Sequence, residues 1–344
     1  MTAPIFAGGL AERLAAYLSR LWDGPVEIRD LSRIPGGASR ETYRFDAVVG
    51  GETRGLILRR DPPGSLIDTD RRLEYAAYES FHGREAPTPR PVALEAGESE
   101  LERPFFLMER IDGGRAAGPF TADPYGAHAR ALGEQFFAIL GRIARADPAG
   151  LPIARLSQTP AADACWLREL DHWEGVIDSD EQHPQPIVRA AIRRLRRNPP
   201  PSAQKISVVH GDYRSGNFMH DGGGRIVAVL DWEMAHLGDP LEDLGWAIDP
   251  LWAHFETERV GGMLPRAEAI AIWERESGLA ADPAALAWWE LFNAVKGQGI
   301  WTSAAKEYAD GGYRDPVLGF SGWYTARRHD KIIADRLVAL EAWT

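Results

Sequence analysis

The stretch from Ile206 to Glu233 leaves the backbone few paths. Residues 206–209 are a short apolar run rich in β-branched side chains and read as a buried strand. A polar loop follows, His210-Gly211-Asp212-Tyr213-Arg214-Ser215-Gly216-Asn217. Residues 217–220 and 225–230 then flank Asp221-Gly222-Gly223-Gly224, a turn sequence that predicts a hairpin. If His220 pairs with Arg225, Phe218 faces Val227, and Asp231 emerges beside the loop that carries Asp212 and Asn217. Two carboxylates and one carboxamide are thus expected to converge. Such an oxygen-rich set suits Mg²⁺, which takes one or two carboxylates together with phosphate oxygens and water.

The two halves of the chain differ in texture. Leu10, Leu14, Leu18 and Leu21 recur at helical spacing before Gly24-Pro25. Residues 26–58 are short segments rich in Ile, Val, Thr, Tyr and Phe, broken at Gly36-Gly37 and Gly50-Gly51, a pattern of antiparallel hairpins. A helix over residues 73–81 and strands over 92–96 and 105–109 complete a β-rich lobe spanning residues 1–111. Beyond Asp112-Gly113-Gly114 the pattern is mainly helical, as over 128–145 and 187–197, so residues 112–344 form a larger helical lobe. Eleven of the 12 tryptophans lie at or after Trp166; at helical spacing they read mostly as core, with one or two as candidates to line the acceptor pocket. An α+β, two-lobed fold follows, and the 44% hydrophobic content supplies a core for each part.

Composition removes several function classes. The net charge of −11 leaves no excess of cations for phosphate backbones, so nucleic acid is not an expected partner. No apolar run reaches the ~18 residues of a membrane span, no basic segment followed by an apolar core opens the chain, and Cys165 stands alone. A cytoplasmic protein without membrane contact is expected. No Gly-Lys pair occurs, which excludes a P-loop. Arg189, Arg193, Arg194, Arg196 and Arg197 share a helix with a separate apolar face and read as a solvated surface. His220 and His236 lack a third ligand at suitable spacing and are discounted as a metal pair.

The spacing His-x-Asp, four residues, Asn, then Asp after the next hairpin is that of a kinase catalytic loop and its metal-binding Asp. With Leu230-Asp231-Trp232-Glu233, Gly238-Asp239-Pro240 and Asp243-Leu244 following, the chain resembles the aminoglycoside phosphotransferase family, which includes choline and homoserine kinases. In texture it is most similar to the phosphotransferase branch fused to certain acyl-CoA dehydrogenases. There Gly-Gly-x-Ser, Leu-Arg, Pro-Pro-Gly, His-Gly-Asp and Asp-Trp-Glu recur, here at Gly36 to Ser39, Leu58-Arg59, Pro62 to Gly64, His210 to Asp212 and Asp231 to Glu233.

That resemblance implies a protein-kinase-like fold and transfer of the γ-phosphoryl of ATP, with Mg²⁺, to a hydroxyl of a small molecule. Asp212 would accept or orient the hydroxyl proton, Asn217 and Asp231 would hold Mg²⁺, and His210 would brace the loop. Arg59 would stand for the usual strand-three lysine, since no lysine precedes Lys205, with Glu74 as its ion-pair partner. Arg60 is its rival, because strand alternation turns only one of the two inward. Gly36, Gly37 and Ser39 would lie over the phosphates, and the adenine would bond the backbone of Glu109 and Ile111 with Met108 lining its pocket. The acidic net charge suits a cationic acceptor, whereas the nearest branch suggests a hydroxy acid or hydroxyacyl thioester.

Two other classes compete. A catalytically silent nucleotide-binding or scaffold protein of the same fold usually lacks the loop Asp or the metal Asp, and both are present. A metal-dependent hydrolase built on Asp212, Asp231 and Glu233 leaves the β-rich lobe unexplained.

Overall fold

The computed structural model describes residues 9–34, 41–61, 70–97, 101–118, 121–256, 258–311 and 316–341. Gly36, Gly37, Ser39 and the Pro62-Pro63-Gly64 segment lie outside them. The chain begins with α1 (Leu10–Leu21), which buries Leu14 and Leu18 completely and leaves Leu21 exposed. Then come β1 (Val26–Ile34), β2 (Glu41–Val49), β3 (Glu52–Arg60), α2 (Arg71–Phe81), β4 (Pro91–Glu95) and β5 (Phe105–Glu109). The strands make one antiparallel sheet in the order β1-β2-β3-β5-β4. Asp70 caps α2 by accepting from Arg72 N–H at 2.9 Å.

Alternation along these strands divides two hydrophobic cores. Leu56, Leu58, Phe105 and Leu107 pack with Leu14 and Leu18 beneath α1. Ile57, Phe106 and Met108 point the other way, into the core that continues through α2 into the large lobe. The same rule settles the arginine pair. Arg59 follows Ile57 toward the inter-lobe side and meets Glu74, whereas Arg60 turns to Glu41 and lies over the Tyr43 ring.

The large lobe contains α3 (Ala129–Arg145), α4 (Cys165–Asp180), α5 (Pro186–Arg197), β6 (Ser207–Val209), β7 (Phe218–His220), β8 (Ile226–Val229), β9 (His236–Gly238), α6 (Leu241–Ala247), α7 (Arg266–Ser277), α8 (Pro283–Asp310), α9 (Pro316–Phe320) and α10 (Ala326–Glu341). The central helix is α8, started by Asp282, which accepts from Ala285 N–H, and stopped by Gly311 at φ 76°. Residues 291–299 of α8 are all buried, so its polar members need internal partners. Asn293, Lys296 and Gln298 each have one. Trp232, Trp246, Trp273 and Trp289 are fully buried. On α5, Arg189 pairs with Asp178 and Glu181, and Arg196 with Asp171, so part of the basic run is neutralised by α4 and the turn after it.

The strand before His210, β6, pairs antiparallel with β9, a strand absent from the sequence reading, and β7–β8 form a separate two-stranded sheet. The hairpin register differs from the sequence reading. Phe218 faces Val229, and His220 faces Ile226. The cause lies in the turn: Asp221 N–H bonds the Arg225 carbonyl, while Asp221 Oδ1 accepts from Gly223 and Arg225. That closes the loop one residue later than assumed, and an irregularity after Met219 shifts the ladder once more. Among the described residues no helix is long and apolar enough to cross a membrane.

Candidate active site

The site lies where the inner face of the sheet meets the β7–β8 hairpin. A cleft of about 1290 Å³ runs from Met108, Glu109 and Ile111 at one end to Arg59, Asn217 and Asp231 at the other. The sheet fixes the first end. Glu109 N–H donates to the Arg90 carbonyl at 2.9 Å, so Glu109 can meet a ligand through its carbonyl but not through its N–H.

The loop after β6 is held from beneath. Asp243, near the start of α6, accepts from the backbone N–H of His210 at 2.6 Å and of Gly211 at 3.0 Å. Gly211 has φ +84°, and a Cβ there would sit 2.3 Å from the Met234 carbonyl oxygen, so only glycine fits. Lys296 of α8 donates to the Gly211 carbonyl and to Glu242 Oε1 at 2.8 Å. His210 is fully buried: Nε2 donates to the Leu230 carbonyl at 3.0 Å and Nδ1 accepts from Asp212 N–H at 3.2 Å. Burial pushes its pKa down to about 4, so it is neutral at pH 7 and ties the loop to the end of the hairpin.

Asp212 and Asn217 form a unit. Asn217 Nδ2 donates to the Asp212 carbonyl at 2.9 Å and to Asp212 Oδ2 at 2.6 Å, which leaves the amide oxygen as its remaining acceptor. Asp212 Oδ1 also accepts from Trp246 Nε1 at 2.7 Å and from Arg214 Nε at 3.1 Å. Burial pushes the Asp212 carboxyl up, against the pull of Arg214. Arg214 stacks over Trp252, 4.7 Å from the ring centroid.

Asp231 follows β8 in the left-handed region, φ 68°, and its N–H donates to the Tyr78 hydroxyl at 3.0 Å. A non-glycine residue held there stores strain, a condition that recurs at functional sites. Arg59 meets Glu74 at 3.0 Å, Asp231 Oδ1 at 2.9 Å and Glu233 Oε2 at 3.5 Å. Burial raises the Asp231 carboxyl, Arg59 outweighs it, and the group is held below its ordinary range.

The structure therefore brings His210, Asp212, Asn217, Asp231, Arg59 and Glu74 together, with Met108, Glu109 and Ile111 at the far end of the same cleft. Residues 30–289 match the Phosphotransferase enzyme family. The chain belongs to that family.

Similarity to individual proteins agrees with this membership. Acyl-CoA dehydrogenase family member 11 of Pongo abelii is 25% identical over 241 residues, 68% of this chain and 30% of that protein. The chain thus spans about a third of the length of these dehydrogenase relatives. Viomycin phosphotransferase of Streptomyces vinaceus is 23% identical over 244 residues, 69% of this chain and 75% of that protein. In fold, a Ralstonia eutropha protein assigned to the aminoglycoside phosphotransferases superposes with a TM-score of 0.72 at 22% identity, covering 94% of this chain and 97% of its own. A thermostable mutant of an aminoglycoside phosphotransferase, solved with ADP and hygromycin B, gives a TM-score of 0.58 at 19% identity, covering 94% and 98%. The fold shared with them is the two-lobed α+β arrangement described above.

Sequence reasoning missed Trp246, Lys296 and Tyr78, which reach Asp212, the Gly211 carbonyl and Asp231 N–H. No local spacing marks them, since each arrives from another element. His236, discounted with His220 as a metal pair, lies between Glu242 at 3.1 Å and Glu169 at 3.7 Å. The two carboxylates outweigh burial and raise its pKa to about 9, and with Lys296 also on Glu242 the cluster already holds two cations.

Proposed function

We propose that the chain is a cytoplasmic phosphotransferase that moves the γ-phosphoryl group of ATP, with Mg²⁺, onto a hydroxyl of a small molecule. The observation that carries this reading is the Asp212–Asn217 unit set beside Asp231 and Arg59 at one end of a nucleotide-sized cleft. The donor set fits the metal: Asn217 is oriented with its amide oxygen left over, and Asp231 adds a carboxylate held ionised. Asn217 and Asp231 would therefore hold Mg²⁺, which when bound neutralises charge between the phosphates. Arg59 would grip phosphate, and Glu74 would keep its guanidinium aimed into the cleft. The Glu109 carbonyl and the Ile111 N–H would receive the adenine, with Met108 beside it.

Asp212 acts on the acceptor. As the new O–P bond forms and the bond to the ADP oxygen breaks, the hydroxyl proton passes to Asp212. Both of its oxygens already accept hydrogen bonds from Asn217, Trp246 and Arg214. These donors fix the carboxylate before an acceptor arrives, so little ordering remains to be done in the transition state. Arg214 also places a positive charge beside the reacting hydroxyl. That favours an anionic acceptor over a cationic one, and the names of the dehydrogenase relatives make hydroxy acids and hydroxyacyl thioesters the first class to try.

The test is ATP consumption with a panel of hydroxylated metabolites, alongside thermal shift with ATP and Mg²⁺. Stabilisation by Mg²⁺–ATP, together with ADP formation for at least one acceptor that disappears in Asp212→Asn while the stabilisation stays, supports the reading. Nucleotide stabilisation without turnover on any acceptor would instead favour a catalytically silent nucleotide-binding protein.

A further inference from the structure

One cation of the cleft has no role in the chemistry above. Arg44 stands on β2 directly opposite Ile57 of β3, so the two share a face with Arg59. Its side chain lines the cleft together with Thr42, Ile57 and Arg59 on the sheet side and Met219 and Leu230 on the hairpin side. Its Nε donates to Ser32 Oγ, on its cross-strand partner in β1, at 3.0 Å. Among the described residues no carboxylate pairs with it, whereas Arg59 is engaged by Glu74, Asp231 and Glu233, and Arg110 by Asp46 and Asp112.

Its place along the strand decides what it can touch. Arg59 faces Thr42, and Arg44 is one inward-facing position further on, about 6.6 Å toward Gly55 and the Glu109 end. Phosphates belong at the Arg59–Asp231 end, so the group beneath Arg44 is the nucleoside. A guanidinium is planar, weakly hydrated and stacks on aromatic faces, and bases stack on arginine planes as they do on aromatic rings. The hairpin side is apolar and fixed there: a Cβ on Gly114 would lie 2.5 Å from Met219 Cε.

We propose that Arg44 is a base-binding residue, its guanidinium stacking on the purine ring from the sheet side while Met219 and Leu230 close the other side. This rests on the nucleotide reading of the same cleft. Its consequence is a base held by a cationic plane, with an affinity contribution independent of how many phosphates follow.

Calorimetric titration of ATP, ADP and AMP with Mg²⁺ tests this on the full chain and its Arg44→Met, Arg44→Lys and Arg44→Tyr variants. Arg44 is exposed and makes one side-chain hydrogen bond, so the fold does not depend on it. Arg44→Met is expected to weaken all three nucleotides by the same factor, roughly three- to thirtyfold. Arg44→Tyr, which keeps a plane without the charge, should recover most of the loss, and Arg44→Lys should not. A loss that grows with phosphate number and is repaired by lysine would overturn stacking in favour of a phosphate grip. Unchanged affinities in Arg44→Met, with the parent binding ATP, would remove Arg44 from the site and leave the nucleotide reading standing. A parent that binds none of the three would remove both.

Discussion

Replacing Arg59 with Met tests the centre of the inter-lobe site, because one buried guanidinium there faces three carboxylates. Arg59 is 8% exposed, Glu74 fully buried, and the side chains of Asp231 and Glu233 are 32% and 9% exposed. Removing one partner from a buried ion pair costs about 3–5 kcal/mol, most of it the penalty of the charge left behind. The Arg59–Glu74 pair is the one buried on both sides, so a loss toward this size is expected at pH 7, which for a chain of 344 residues is a fall in melting temperature on the order of 4–7 °C. Arg60→Met is the control. Its ion pair with Glu41 lies on the other face, and Glu41 is also held by Arg103 at 3.2 Å, so no carboxylate is left without a cation and the loss should be clearly smaller.

The pH dependence gives this reasoning a sign. In the parent, the Asp231 carboxyl lies below its ordinary value, so its contribution is present above the unfolded pKa of ~3.9 and is lost as pH falls through the lower folded value. Without Arg59 the largest pull against burial is gone, only the weaker pulls of Arg214 and His210 remain, and the folded pKa is expected to move above the unfolded one. The variant then binds protons more readily when folded and gains stability as pH falls through that raised pKa. The gap between parent and variant should therefore narrow from pH 8 toward pH 4.5. Thermal unfolding across that range measures it. A gap that stays constant, or an Arg60→Met variant hurt as much as Arg59→Met, would refute the assignment of Arg59 as the buried hub.

Four other expectations separate the roles of neighbouring groups. Asp212→Asn should lower turnover by ~10²-fold or more with nucleotide affinity nearly unchanged, read by ATP consumption and calorimetry. Asp231→Asn should abolish the Mg²⁺-dependent part of nucleotide binding, which titration with and without the metal detects. Because burial raises the Asp212 carboxyl, its proton-accepting form disappears as pH falls, and the acidic limb of the rate profile should lie above the usual carboxylate range. Lys296→Met should lower turnover and move that limb higher still, since Lys296 is a positive charge near Asp212, while Lys296→Arg should restore part of both.

What could be read in the sequence was what is local. The alternation Leu56-Ile57-Leu58-Arg59 carries its own facing, and β3 shows it without outside help. The Asp212 to Asn217 spacing likewise closes on itself through two hydrogen bonds within one loop. The hairpin register was missed because it depends on how Asp221 caps its own turn, a choice that composition leaves open. The pairing of β6 with β9 was missed for a different reason. His236, Leu237 and Gly238 form a three-residue strand whose only signal is the partner 27 or more positions earlier. Lys296 and Trp246 follow the same pattern: each is one polar atom on a helix, made functional by where packing brings it.

The arginine at position 59 has a practical bearing on how this protein can be found in a mixture. Amine-directed nucleotide analogues mark kinases by acylating a lysine beside the phosphates. Here the chain has no lysine before Lys205, and none lines the cleft. Lys205 instead caps the last carbonyls of α3, Lys296 is 1% exposed beneath the Gly211 carbonyl, and Lys306 and Lys331 are paired with Asp180 and Asp335. A guanidinium stays protonated and does not take up an acyl group at neutral pH. Such reagents would pass through this cleft without leaving a label, and a survey relying on them would count an occupied site as an absent one.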